Sequence, residues 1–162
     1  MISPQFTIED ALASLLTPIS GLNVYVSNRR GARFFPYVTI RASIGSQLVV
    51  PTSGVYEIPI ELKYSDTTTR TNQTNFESNY FNIFSELYSP TPTLALKIQD
   101  KSINTKVYMA RITSQTPTIR TDKRAWERGL VLSVIATPAP LVDGLRDYDF
   151  SEALNSFYIA TI

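Results

Sequence analysis

The chain has 162 residues, 43% hydrophobic and 18% charged, with 15 Lys and Arg against 14 Asp and Glu, a net charge of +1, and neither cysteine nor histidine. That length fits one domain with its own core plus an extension, and the near-neutral balance gives no global attraction to nucleic acid. Without cysteine there is no disulfide framework or thiolate chemistry, and without histidine the commonest general base, the Ser-His-Asp and Cys-His arrangements and ordinary zinc sites are gone.

The N-terminus, Met1-Ile2-Ser3-Pro4, has no basic or apolar leader pattern, so no signal peptide is expected, and no apolar run reaches membrane-spanning length. Thr7, with Asp10 three residues on, reads as the N-cap of a short amphipathic helix carrying Ile8, Leu12, Leu15 and Leu16 and ended by Pro18 and Gly21. Asn23–Ser27 reads as a short strand. A polar loop with Arg29, Arg30 and Arg33 leads to a second strand, Phe35–Ala42, with Val38 and Ile40 on one face.

The clearest strand is Val55–Ser65, where Tyr56, Ile58, Ile60, Leu62 and Tyr64 alternate with Glu57, Pro59, Glu61 and Lys63. Pro59 has no N–H to give a ladder, which places this strand at a sheet edge or marks a bulge. An edge strand of this length needs a cover, and in an oligomer a neighbouring subunit can supply it. Thr74 and Glu77 form a capping box for a second helix with Phe76, Tyr80, Ile83, Phe84 and Leu87 on one face, stopped by Ser89-Pro90-Thr91-Pro92. Two more strands, Lys106–Thr113 and Trp126–Thr137, are joined by a polar loop. The latter is apolar on both faces (Leu130, Leu132 and Val134; Val131 and Ile135), which predicts cover on both sides.

The reading is thus an α+β fold: a mixed, mainly antiparallel sheet with two packed helices in the order α-β-β-β-α-β-β. The domain spans residues 1–137 and a C-terminal arm residues 138–162. From Leu141 onward Asp143, Asp147, Asp149 and Glu152 stand against Arg146 alone, among apolar residues that include Phe150, Phe157 and Tyr158. Some twenty residues cannot bury a core of their own, so this segment reads as an arm.

Glycine-rich phosphate motifs are missing, and the acids are scattered singly with no carboxylate pair at a strand end. No enzyme, cofactor or metal is expected. Arg29, Arg30 and Arg33 suit a phosphate, a partner's carboxylates or simple solvation. The Arg120, Lys123, Arg124, Arg128 cluster, diluted by Asp122 and Glu127, has the same options. The aromatic residues of the second helix could stack on bases, but their spacing is that of a core face.

The element order over Ile2–Thr137, together with Phe35-Pro36-Tyr37-Val38-Thr39-Ile40, Val55-Tyr56-Glu57-Ile58-Pro59-Ile60-Glu61-Leu62 and Arg124-Ala125-Trp126-Glu127-Arg128-Gly129-Leu130-Val131-Leu132, resembles the tail-terminator and tail-completion proteins of long-tailed bacteriophages. The resemblance implies a structural virion protein in the neck region, assembled in the host cytoplasm. It would be a hexameric ring that caps the tail tube and binds the head-side connector or stopper protein. A central channel would pass DNA transiently, with no membrane involved. The arm is longer than a minimal member would need, which leaves open another neck or baseplate adaptor; a nucleic-acid-binding domain is the further alternative. Arg29, Arg30, Arg33, Pro59, Arg120, Arg124, Asp147, Asp149, Phe150, Phe157 and Tyr158 are the candidate subunit or partner contacts, with the arm laid across a neighbour and its acids facing arginines such as Arg29 and Arg30.

Overall fold

A computed structural model of the chain describes residues 4–27, 31–43, 46–47, 54–102 and 104–138. The elements are α1 (Pro4–Leu16), β1 (Asn23–Val26), β2 (Tyr37–Ala42), β3 (Ser46–Gln47), β4 (Tyr56–Thr67), α2 (Gln73–Tyr88), α3 (Leu94–Lys101), β5 (Thr105–Gln115), β6 (Ile119–Arg120) and β7 (Ala125–Pro138). The sheet order is β1-β2-β4-β7-β5, with β3 beside β4 and β6 beside β7. Among the described residues only the β1–β2 pair is parallel. The class is α+β with a mainly antiparallel sheet, as the sequence pattern indicates.

The helix α1 begins at Pro4, so Thr7 is not its cap but a buried residue of the first turn. Proline suits the first helical position because its fixed φ is already helical and its missing N–H would have had no intrahelical partner. Ile8, Ala11, Leu12 and Leu16 are buried, while Glu9, also buried, turns to the end of β1 and accepts from the Ser27 N–H (3.1 Å) and the Ser27 hydroxyl. That carboxylate ties helix to strand.

The strand β4 is central rather than an edge. It pairs with β2 from Tyr37↔Ser65 to Ala42↔Ile60, with β3 at Ser46↔Glu57 and Gln47↔Tyr56, and with β7 along its whole length. Between Ala42 and Ser46 three residues intervene, against only two, Ile58 and Pro59, on β4. The Pro59 carbonyl accepts from the Ser43 N–H (2.9 Å), so its nitrogen also faces this interruption, where no ladder bond is needed. Proline is tolerated inside the sheet because its neighbour breaks off beside it.

The even-numbered residues of β4 and β7 (Ile58, Ile60, Leu62, Tyr64; Leu130, Leu132, Val134, Ala136) form one core with α1, α2 and α3. On the opposite face Val131 and Ile135 are only half-buried, and among the described residues no helix covers them. The second side of the expected cover is thus not supplied by a helix among the described residues, whose α1, α2 and α3 pack on one face.

The cap of α2 is Asn72, whose side-chain oxygen accepts from the Asn75 N–H (2.8 Å); Thr74 lies within the first turn. The helix core face is as expected, with Phe76, Tyr80, Ile83, Phe84 and Leu87 buried and Phe76 stacked on Tyr64 (4.8 Å). A third helix, α3, follows the Pro90–Pro92 break, capped by Thr93 and held by Leu94 and Ile98. Eight residues with two buried positions leave little periodicity to read, which is why the sequence pattern shows two helices and not three. The expected arm, residues 138–162, lies outside the described residues apart from Pro138, which is the last residue of β7.

Candidate functional site

Three surface regions bring polar and apolar side chains together. The first is the helix-free sheet face. There Lys63 reaches Glu61 and Glu127, both at 3.3 Å, and Glu57 accepts from the buried Ser133 hydroxyl (2.8 Å). Partial burial alone would lower the Lys63 pKa, but Glu127 and Glu61 outweigh it and hold the ammonium above its usual range. A groove of about 510 Å³ opens beside this cluster, with Arg33, Tyr37 and Arg41 on its wall. Exposed Met109 on β5 and exposed Pro59 on β4 extend the mixed character of the face.

The second is a cleft of about 490 Å³ between the α1–β1 loop and α2, into which Tyr64, Asp66, Arg70, Asn75, Asn79 and Asn82 project. The three asparagines recur at i, i+4 and i+7, one helical face. Asp66 accepts from the Thr67 N–H (2.8 Å) and is almost fully buried; desolvation raises its pKa above the usual carboxyl value, against the opposing pull of that N–H and of Arg70. Burial and the neighbouring Asp66 push the Tyr64 hydroxyl up to about 12.

The third region is the β6–β7 hairpin and the part of α2 beside it. The turn is closed by Thr121 N–H to Ala125 O (2.8 Å) and Arg124 N–H to Thr121 O (3.1 Å), with Arg124 in the left-handed region at φ 54°. The Arg124 carbonyl accepts from Thr68 N–H (2.9 Å) and Thr68 Oγ1 (3.0 Å), fastening the tip to the β4–α2 loop. Four residues on, the Arg128 guanidinium lies 4.4 Å from the Tyr80 ring centre and 5.0 Å from that of Phe81. Its Nε is buried without a hydrogen-bond partner, and Phe81 is 48% exposed. The Tyr80 and Tyr88 hydroxyls both donate to Gln115 Oε1 (3.3 and 3.0 Å), and desolvation drives the Tyr80 pKa upward.

The structure therefore separates the sequence candidates. Arg33 and Pro59 belong to the helix-free sheet face, although Pro59 is not at a sheet edge, while Arg120 and Arg124 sit on the hairpin with Arg128. Arg29, Arg30, Asp147, Asp149, Phe150, Phe157 and Tyr158 lie outside the described residues. Phe81, Asp66 and the asparagine face of α2 were not among the candidates. The asparagine spacing was visible in the sequence; the stacking of Arg128 on α2 was not, because it joins elements far apart in the chain.

No protein-family model matches the chain, and no curated protein matches it in sequence.

Proposed function

We propose that this chain is a non-enzymatic structural subunit of a phage tail, a tail-terminator-like protein whose copies close into a ring on the end of the tail tube and join it to the head-side connector. The observation that carries this reading is the sheet whose described helices, α1, α2 and α3, all lie on one side. Its other face keeps half-buried Val131 and Ile135 among paired charges, a surface suited to meeting protein rather than water. The order and texture of the elements resemble the tail-terminator proteins, which supports a ring over a simple dimer. Such a ring would hold a channel for DNA, and the near-neutral chain suits passage rather than retention.

The test is the mass of the purified chain by light scattering, alone and mixed with the tail-tube protein of the same particle. A ring of six 18.2 kDa chains has a mass of about 109 kDa. A species of that size, free or formed only on the tube, is the expected result. A chain that stays monomeric in both conditions overturns the reading.

A further inference from the structure

We propose that the Arg128–Phe81 patch is a docking site for the acidic arm of a second copy of the chain, with the Asp147-Tyr148-Asp149-Phe150 segment as the occupant. This deepens the ring reading and rests on self-assembly of the chain.

The receiving surface is preorganised. The Arg128 guanidinium is held between the Tyr80 and Phe81 rings, at 4.4 and 5.0 Å from their centres, which limits the side-chain freedom that a carboxylate contact would cost. Among the described residues the ion pairs are Lys63 with Glu61, Lys63 with Glu127 and Lys97 with Glu86, which leaves Arg120, Lys123, Arg124 and Arg128 without a carboxylate partner. Arg120 pairs across the ladder with Trp126, two residues before Arg128, so it shares the helix-side face of the sheet. Exposed Phe81 offers an aromatic contact at the patch.

The occupant fits in charge and kind. Residues 141–152 carry Asp143, Asp147, Asp149 and Glu152 against Arg146, and two of the acids flank Tyr148 and precede Phe150. Carboxylates for the guanidinium groups are what the surface lacks, and a further ring can pack on the exposed side of Phe81, whose other contacts are Tyr80, Tyr88 and Arg128. A nucleic acid also offers anions and rings, but Asp122 and Glu127 alternate with these cations, and four of them among acids make a poor track for a phosphate backbone.

Reach assigns the contact to a neighbour. The strand β7 runs from Ala125 to Pro138, so Arg128 and Pro138 are ten residues apart, about 33 Å along a strand. Asp147 is nine residues beyond Pro138 and can travel at most about 32 Å. Asp149, at most about 40 Å beyond Pro138, would arrive only with the chain almost straight, with about 7 Å to spare for reversing direction and passing over the sheet. A second copy has no such constraint.

Charge reversal on the full chain tests this, read by light scattering over a dilution series. Arg128→Glu alone, and Asp147→Lys with Asp149→Lys, should each raise the assembly dissociation constant at least tenfold. Combining all three should restore most of the loss, and mixing the two weakened proteins should produce mixed assemblies. Phe81→Ser should also raise the assembly dissociation constant, with the chain still folded by circular dichroism although it loses the ring's contacts with Tyr80, Tyr88 and Arg128. A wild-type chain that is monomeric throughout overturns the self-assembly reading itself. Assembly that persists unchanged in both charge variants overturns only the docking site. If Arg128→Glu abolishes the mobility shift of a 40-base DNA probe and leaves assembly intact, the patch binds nucleic acid and the proposal falls.

Discussion

Replacing Gly129 by alanine probes the closest approach in the sheet. A methyl group at this position would lie 2.7 Å from the Leu62 carbonyl oxygen and 3.5 Å from Lys63 Cα. Ordinary carbon–oxygen contacts between strands are about 3.3–3.6 Å, so the strands would have to part by about half an ångström or more. Both obstructing atoms are backbone, in the middle of a β4–β7 ladder of twelve residue pairs, and no rotamer change relieves them. Nor can β7 back away freely. Gly129 N–H donates to Thr116 Oγ1 (2.9 Å) and its carbonyl accepts from Thr116 N–H (2.9 Å) on the other side. Overpacking of this kind costs about 1–3 kcal/mol, each strained hydrogen bond about 1 kcal/mol, and the stiffer unfolded chain returns about 0.4–1 kcal/mol. We expect a net loss of about 2–3 kcal/mol. The only tryptophan, Trp126, reports on the same strand, because its Nε1 donates to Thr71 O (2.9 Å) and its ring lies 6.5 Å from that of Phe76. With a urea slope of about 2 kcal/mol per molar, the fluorescence midpoint should fall by about 1–1.5 M. A midpoint unchanged within about 0.2 M would refute the close approach, and with it the register of the central pair.

Asn72→Ala should cost about 1 kcal/mol in the same urea titration, and Thr74→Ala only a few tenths; the reverse order would move the helix start to Thr74. Because the folded state raises the Asp66 pKa, it holds that proton more tightly than the unfolded chain, and ionisation at neutral pH opposes folding. Asp66→Asn, which keeps an acceptor for the Thr67 N–H, should therefore raise the melting temperature at pH 7 and lose its advantage as the pH falls towards 3.8; a variant less stable than wild type at pH 7 would count against this. Tyr64, ordinarily near 10 and held at about 12, loses its proton first in the unfolded chain, so stability should fall as the pH rises from 10 to 12, by as much as about 3 kcal/mol. Thermal melts across that range should be less steep in pH for Tyr64→Phe, and identical profiles would contradict the assignment.

Much of this architecture could be read from the chain, and the failures have physical causes. The alternation in β4 and the buried stripe of α2 are strong because each repeats over several residues with one face committed to the core. The sequence pattern sets the start of α1 at Thr7 rather than Pro4 because a proline at the first helical position and a threonine three residues later are both acceptable openings, and the choice depends on what the first turn buries. For Pro59 the edge reading failed because whether a proline's missing N–H matters is set by the adjacent strand, which β4 cannot reveal. The basic hairpin residues were recognisable as a cluster, yet Arg128 gained its distinct environment only when β7 was laid beside α2.

The interrupted pairing beside Pro59 also polices alignment. Sliding β2 by two residues along β4 would keep every side chain on its proper side of the sheet, so burial alone does not forbid it. Moved towards β3, such a slip would replace Ser43, which lies just beyond the end of β2, by Arg41 from within it, setting β2 itself against the one β4 residue with no hydrogen to offer and leaving a carbonyl stranded inside the sheet. Proline at this point works as a stop on a sliding rail: the strands can couple where β2 ends beside it, and the nearest tempting mismatch is closed.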